Sequence, residues 1–521
     1  LGFGKGWALS GLTTYEITNK ILSLSTGERF IADQVVNEFT FKDRKLVTFH
    51  MRRESGASGV YLVLHKNGVV EKLSTFNGAS PVAVTVEVRS PDGRRVYLDY
   101  SQTSTPRLRA VRDETSTLLT IERPTGAVNV TLHPDRGNPG VFSLLQSNGM
   151  LSRLRLPPEV GEVGWGFSYT KFGELHHVTE IRLPTGGVET VDYVENGHQC
   201  LPDAPTTHVP YARLHKKSPG HPQADIITLY EYSGRNYLGY DSGLRWQPNE
   251  DNLYRLTAVE GEDYRYHCIA TTSLQVGQEI MKRTVRSDFN RLHLLVSETT
   301  TQNKCVLEKS TEYHDDPTLP FANQENYFQL PHKSTTTWRR IGDSTPAREE
   351  LVTTEYDDFG NLIRQVDETG LIEERTYYKA GGEDGCPEDP LGMTRSLKQL
   401  TATPMAGRAE GAAEVVTTYR YALLPSKVAG DPGCLVLVNE KKVALEGGKE
   451  IDLGTTVTEY INDVGSESHG RVLSETSTLN GFESKVAYTY TLDEAAATLR
   501  VDTVFTGDDK LRRTASATQS L

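Results

Sequence analysis

Residues 356–378 read YDDFGNLIRQVDETGLIEERTYY, from Tyr356 to a closing Tyr378. Two short runs of alternating apolar and charged side chains are set off by polar turns at Gly360 and Gly370. Alternation with period two puts one set of side chains on each face of an extended strand. Glycine supplies the positive φ that tight hairpin turns demand. The stretch therefore predicts two strands of about 5–7 residues and two turns, near the usual strand length. Tyr169 to Tyr193, YTKFGELHHVTEIRLPTGGVETVDY, repeats the Tyr, the Phe-Gly at the same offset, a polar turn and a closing Tyr. His469 to Tyr490, HGRVLSETSTLNGFESKVAYTY, repeats the order again. Units that cannot bury a face alone must stack on neighbours, which implies a continuous sheet.

The same grammar extends upstream. Turn signals stand at Thr26-Gly27, Asn67-Gly68, Asp92-Gly93, Thr125-Gly126, Asn148-Gly149 and Gly186-Gly187. Each is flanked by β-branched or aromatic residues alternating with charges, as half-exposed antiparallel strands require. The predicted fold class is all-β, built of repeated antiparallel hairpins. Three regions organise it: a hairpin region over 1–155; a β-rich region over 156–320; and a repeat region over 321–521. Within the second, five prolines between Pro202 and Pro222, around the basic run Arg213 to Lys217, predict a surface loop over 202–222. Residues 380–392 and 403–414 read as further loops, and 493–499 as one helical turn or two. The chain opens at Leu1 without Met or a leader pattern and closes in a polar run, and it reads as a piece of something longer.

Composition agrees with exposed sheet. The 521 residues are 37 % hydrophobic, below the ~45–50 % of compact globular chains. Tyrosine leads the aromatics, with 24 Tyr against 15 Phe and 4 Trp. No stretch approaches ~18 uninterrupted apolar residues, so no membrane-spanning helix is expected. The net charge of −13 argues against nucleic acid as a partner, which calls for clustered excess cations. Cys200, Cys268, Cys305, Cys386 and Cys434 are widely spaced and contain no C-x-x-C pair. A disulfide framework is not expected, and a reducing compartment of synthesis is.

The repeat at 356–362, with its echoes at Tyr169 and at Gly470 to Leu473, resembles the tyrosine–aspartate (YD) repeat of the RHS family. LGFGKGWALS at the start, FQLPHKSTTTW (328–338) and GCPEDPLGMTRSLKQLTATP (385–404) are similar to phrases of bacterial polymorphic-toxin members of that family. The first ~150 residues depart from it, being hairpins without the YD signature. The resemblance implies a long β-ribbon spiralling into a hollow shell. Such a shell encloses a cytotoxic C-terminal polypeptide until delivery, as in type VI secretion effectors and the B and C components of insecticidal toxin complexes. It implies as partners that C-terminal toxin, the rest of the shell, and a secretion spike or toxin-complex translocation component. It also implies synthesis in a bacterial cytoplasm followed by secretion or injection. A shell wall with two solvated faces accounts for low hydrophobicity and abundant Tyr, which packs a flat ring and leaves its hydroxyl in water.

Chemistry is sparse. The family's self-cleavage uses paired aspartates around two Asp-Pro-x-Gly phrases; here Asp389-Pro390-Leu391-Gly392 is a single copy and reads as a turn, as does Asp431-Pro432-Gly433. His176 and His177 are adjacent and would face opposite sides of a strand. His198 and Cys200 could share a face but lack two further ligands. His314-Asp315-Asp316 reads as a turn. Gly448-Lys449 lacks the flanking residues of a phosphate loop. The pairs Asp357-Asp358 and Glu373-Glu374 read as solvated, and Trp7, Trp165, Trp246 and Trp338 as packing residues. No catalytic residue, cofactor site or metal site is predicted, and the chain is expected not to be an enzyme. The alternative function is a carbohydrate-binding cell-surface module, which needs aromatic rings clustered beside Asn, Asp or Arg. A β-helical or propeller hydrolase ranks third, for want of a paired acid and base.

Overall fold

In a computed structural model the chain is all-β, with 35 strands among the described residues and a short 3-10 turn at Phe321–Asn323. These are residues 2–9, 11–78, 80–101, 105–157, 163–220, 223–248, 250, 252, 255–256, 264–343, 345–405, 407, 411–493 and 498–520. Among them no helix is long and apolar enough to cross a membrane. The chain divides into two compact units. One comprises Leu1–Leu12, Leu24–Glu28 and Leu98–Thr353; the other comprises Thr13–Ser23, Arg29–Tyr97 and Thr354–Leu521.

All six upstream turn signals join antiparallel pairs, and each contains one glycine of positive φ, from Gly126 at +77° to Gly27 at +103°; at Gly186-Gly187 it is Gly186. Asn148, with φ +52°, precedes Gly149 at +77°, so both central residues of that turn are left-handed. Two such residues match the right-handed twist of the flanking strands.

In the second unit, eight strands between Thr14 and Arg89 pair in a ring. Thr14–Glu16 pairs with Ile21–Ser23 on one side and with Val82–Arg89 on the other. The two paths meet where Glu38, just before Phe39–Phe41, bridges Arg52 of Phe49–Arg53. Closure removes the unpaired edges that invite aggregation. It also gives this unit a dry centre, where Tyr15, Leu22, Phe49, Met51, Val63 and Leu73 are buried. Tyr15, Phe39 and Tyr61 meet edge to face, with centroids 5.4–5.7 Å apart.

Elsewhere each unit is a run of consecutive antiparallel pairs. In the first it continues from Leu108–Arg112 to residues 348–353; in the second it continues from Leu362–Val366 to Arg512–Ser520. Side chains on both faces of these strands are mostly half-buried, as in Leu397–Thr403 and Leu362–Val366.

The loop expected over 202–222 is corrected in its second half, where His208–Ser218 is a strand between Val188–Gln199 and Ile226–Tyr232. Pro210 fits inside it for a local reason. Val194 pairs with Tyr211 and His198 with Val209, so Pro210 lies opposite a bulge, where no ladder N–H is required. The stretch 493–499 begins and ends on paired strand residues, Asp493 opposite Thr498; residues 494–497 lie outside the described set. In the loop 403–414, residues 406 and 408–410 do as well.

Candidate binding cavity

Two local devices recur. The first is a turn of the form Asx-x-x-x-x. Asp367 Oδ1 accepts from the amides of Thr369 (2.8 Å) and Leu371 (2.9 Å), and the Gly370 amide donates to the Asp367 carbonyl. Asp357 does the same for Phe359 and Asn361, and Asn290 for Leu292 and Leu294. Asp389 belongs to this set, accepting from Leu391 (2.9 Å) and Met393 (3.2 Å). Its other oxygen takes the Arg395 Nε at 2.7 Å. The geometry gives this buried carboxylate a structural task.

The second device is a tether. Tyr377 donates its hydroxyl to the Leu362 carbonyl at 3.0 Å, Tyr193 to Val178 at 3.0 Å, and Tyr490 to Val472 at 3.0 Å. Tyr169, Tyr232, Tyr313 and Tyr460 likewise reach Leu151, Ala212, Leu295 and Leu437. In each case the acceptor lies on the preceding, paired strand. The pairing register shifts immediately before Tyr169, Tyr193, Tyr313, Tyr377 and Tyr460. A bulge bends its strand and re-aims the next side chain, here so that the ring can lie across its neighbour.

In the first unit these devices frame a cavity of about 420 Å³, within the ~300–1,000 Å³ usual for small-ligand sites. The bulge of Val188–Gln199 delivers His198; His208–Ser218 brings Tyr211; Ile226–Tyr232 ends in Tyr232; and Tyr266–Val276 contributes Tyr266. The His198 ring lies 4.9 Å from Tyr211, 4.8 Å from Tyr232 and 5.5 Å from Tyr237, tilted or edge-on to each. Tyr237 is 42 % exposed and forms the rim.

The loop carrying Arg235, Asn236 and Tyr237 is pinned from below. Asn236 Oδ1 accepts from the Leu238 amide at 2.8 Å, and its Nδ2 donates to the Gln199 carbonyl at 2.9 Å. The buried Tyr264 hydroxyl accepts from the Asn236 amide at 3.1 Å and lies 2.7 Å from the Tyr240 carbonyl it can donate to. Gly239, at φ +84°, packs so closely on Leu256 that a Cβ would approach it to 3.2 Å.

One permanent charge lines the cavity, the Arg235 guanidinium. Burial lowers the His198 pKa, which keeps the imidazole uncharged at pH 7. Burial raises the Cys268 thiol against a hydrogen bond from Ser287, and it pushes the Tyr232 hydroxyl up to about 12. Arg235 Nε lies 3.4 Å from Asp241 Oδ2.

The other residues singled out in the sequence are dispersed. His176 is exposed, whereas His177 lies between Phe172 and Tyr193. Cys200 borders Tyr237. His314 packs on Tyr327 and His332, and Asp316 closes a turn on Thr318. Asp431 pairs with Arg89 at 2.7 Å. Gly448-Lys449 sits at a hairpin turn. Asp358 is exposed, and Glu373 pairs with Arg375 at 2.6 Å. Trp7 donates to the Tyr169 hydroxyl at 2.9 Å, Trp165 pairs opposite Leu154, the Trp246 amide donates to the Pro202 carbonyl, and Trp338 lies under Arg348. Sequence reading missed the cavity: its rings come from six separate segments, and among those rings only His198 carried any signal. Among the described residues no group of three or more His, Cys, Asp or Glu could hold a metal ion.

No family model matches the chain. No curated protein is similar to it in sequence. Among solved structures, the TcdB2-TccC3-Cdc42 complex matches over 95 % of this chain at 10 % identity, with a TM-score of 0.37. This chain spans 21 % of that one's length. TcdB2-TccC3 matches over 94 % of this chain and 28 % of its own, at 10 % identity and a TM-score of 0.28. A porin-like protein from Bacteroides uniformis matches over 49 % of this chain and 94 % of its own, at 12 % identity and a TM-score of 0.17. Similarity this low carries no functional assignment.

Proposed function

We propose that the chain is a non-catalytic wall segment of an RHS-type shell that encloses a cytotoxic polypeptide until delivery. The observation that carries this reading is the recurrent tether. Seven tyrosines clip their strands to the strand before, and five do so directly after a bulge. A sheet wetted on both faces has little core to hold it, so cross-strand ties inside each repeat supply what burial does not. Repeated bulges bend and twist the sheet in the same sense at each repeat, as a curved wall requires. The YD resemblance of 356–378, 169–193 and 469–490 is the second support.

In this reading the partners are the C-terminal toxin, the remaining shell, and a spike or translocation component, and the route is export or injection from a bacterial cell. The test is electron microscopy of the full-length natural protein together with limited proteolysis. A hollow particle whose internal density resists protease until the wall is opened is expected. A solid particle or an open rod would reject containment.

A further inference from the structure

The first unit holds a second open cavity, of about 610 Å³, and its lining is cationic. Arg107, Arg109 and Arg123 border it, together with Ser101 and Thr105. Ala110 of Leu108–Arg112 pairs with Thr120 of Thr117–Glu122. Carried one place further, this register sets Arg109 across from Ile121, and two places beyond that Arg107 across from Arg123, all on one face. The backbone of Arg107 is fixed on Ser101. Its carbonyl accepts from the Ser101 amide at 2.8 Å, and its amide donates to the Ser101 hydroxyl oxygen at 3.2 Å. Arg123 donates its Nη1 to the Leu108 carbonyl at 2.7 Å and lies 5.5 Å from the centroid of the Phe3 ring.

These cations are crowded and lack a counter-charge. A Cβ on Gly2 would stand 3.3 Å from Arg123 Nε and 3.9 Å from Arg107 Nε, so the two guanidinium groups are close neighbours. Burial, and after it the charge of Arg107, lowers the Arg123 pKa. Among the described residues neither Arg107 nor Arg109 forms an ion pair. Asp99 takes Arg112 instead, at 3.1 Å, and the exposed Glu122 at the same opening pairs with neither of them. Like charges held together cost stability unless an anion joins them. In a chain of net charge −13 this opening is a local reversal of sign.

A cationic ligand would be repelled here, and a neutral one would leave the repulsion in place. A carboxylate brings one charge. A phosphate monoester brings nearly two at neutral pH, with three acceptor oxygens that guanidinium forks engage in parallel pairs. The volume falls within the ~300–1,000 Å³ of small-ligand sites and leaves room for an organic body beyond the phosphate.

We propose that this cavity binds a small organic phosphate, with Arg107, Arg109 and Arg123 as its recognition residues. The site does not depend on containment: a wall can carry it on either face.

The experiment is calorimetric titration of the 521-residue chain with phenyl phosphate and inorganic phosphate, and in parallel with succinate, at fixed ionic strength. Saturable binding of both phosphates, tighter than that of succinate, is expected at about pH 7.5. It should weaken at about pH 5, where phosphate has lost its second charge (pKa about 6) and the arginines keep theirs. Arg107→Gln and Arg109→Gln should each weaken binding about tenfold or more, the effect of one hydrogen bond between charged groups. Both side chains are exposed and hold no ion pair, so the variants should fold. Arg107→Gln also relieves Arg123 and should raise the phosphate-free urea midpoint. Added phosphate should raise the midpoint of the wild type more than that of the variant. Arg182→Gln, in the same unit and paired with Glu180, should bind as wild type does. Equal affinity for succinate would overturn the proposal in favour of a carboxylate site. No saturable binding, or binding unchanged in both arginine variants, would overturn it outright.

Discussion

Tyr377 donates its hydroxyl to the backbone carbonyl of Leu362, fifteen residues back in the chain, at 3.0 Å. Leu362 opens one strand and Tyr377 closes the next, so the bond clamps the open end of a hairpin whose closed end is the Asp367 turn. Tyr490 with Val472 and Tyr313 with Leu295 occupy the same places in their own hairpins. The neighbouring Tyr378 is buried and donates instead to the Tyr419 carbonyl at 2.8 Å, tying its segment to a different strand. Two adjacent tyrosines thus make two separate connections, and the one that closes the repeat is the first.

Replacing the tether hydroxyl isolates its contribution. Tyr377→Phe, Tyr193→Phe and Tyr490→Phe should each destabilise the protein by about 1 kcal/mol, the typical net worth of one hydrogen bond. The checking measurement is the urea midpoint at constant slope. Tyr237→Phe is the control with no tether and should leave the midpoint where it is. If the three tether variants unfold as wild type does, the repeats are not held by these bonds.

Turn glycines divide into those with room for a side chain and those without. Gly370 has φ +85°, and a Cβ there would stand 2.5 Å from the Met405 sulfur. Gly481 has φ +80° with nothing within 4 Å. Gly370→Ala should therefore cost more than the ~1–2 kcal/mol of a left-handed alanine, since Met405 must also move. Gly481→Asn should cost only a few tenths, because asparagine tolerates this conformation and its neighbour Asn480 already adopts it. Comparing the two thermal midpoints decides the point, and equal losses would contradict it.

The hairpins were readable because both determinants are local. A glycine with positive φ and a period-two pattern lie within ten residues of each other, as around Asn148-Gly149. The strand His208–Ser218 was not readable, because proline normally marks a break. What permits Pro210 is a bulge at residues 194–198 of another strand. Closure of the ring between Thr14 and Arg89 was hidden for a related reason. It depends on Thr14 pairing with Val84, seventy residues away, and on a bridge between Glu38 and Arg52. The cavity is the extreme case: His198, Tyr211, Tyr232, Tyr237 and Tyr266 meet only through two levels of strand pairing.

The turn aspartates set an acid limit. Burial acts to raise the Asp367 pKa, but hydrogen bonds from the Thr369 hydroxyl and from backbone amides, Leu371 among them, outweigh it and hold it below the usual value. Asp113 is lowered in the same way by Thr115 and Ser116. A carboxylate whose folded pKa is depressed contributes stability above its unfolded pKa of ~3.9 and loses it as pH falls through the folded value. Exchange protection of the Leu371 amide should therefore hold from neutral pH to about pH 4 and decline below it. In Asp367→Asn, which keeps an acceptor oxygen and cannot titrate, that pH-dependent step should vanish. A step of the same size in the variant would assign it to another group.

Arg89 provides the sharpest test of packing in the second unit. Its Nε donates to Glu87 at 2.7 Å, and its Nη1 donates to both Asp431 oxygens at 2.7 and 2.8 Å. The guanidinium is buried, and the two acids outweigh the cost of burial, so its pKa is raised. Asp431 follows the turn at Gly430, while Arg89 ends a strand of the ring, so the pair links the ring to a distant hairpin. Removing one acid leaves a buried cation half-compensated, whereas removing the whole set leaves only a packing defect. Asp431→Ala should thus cost about 2–3 kcal/mol. Arg89→Met with Asp431→Ala should cost less than the sum of the two single changes by about 1–2 kcal/mol. The double-mutant cycle, read from urea midpoints, measures this coupling directly. Strict additivity would mean that the two groups are screened by water and that the loop at Gly430 is held by something else.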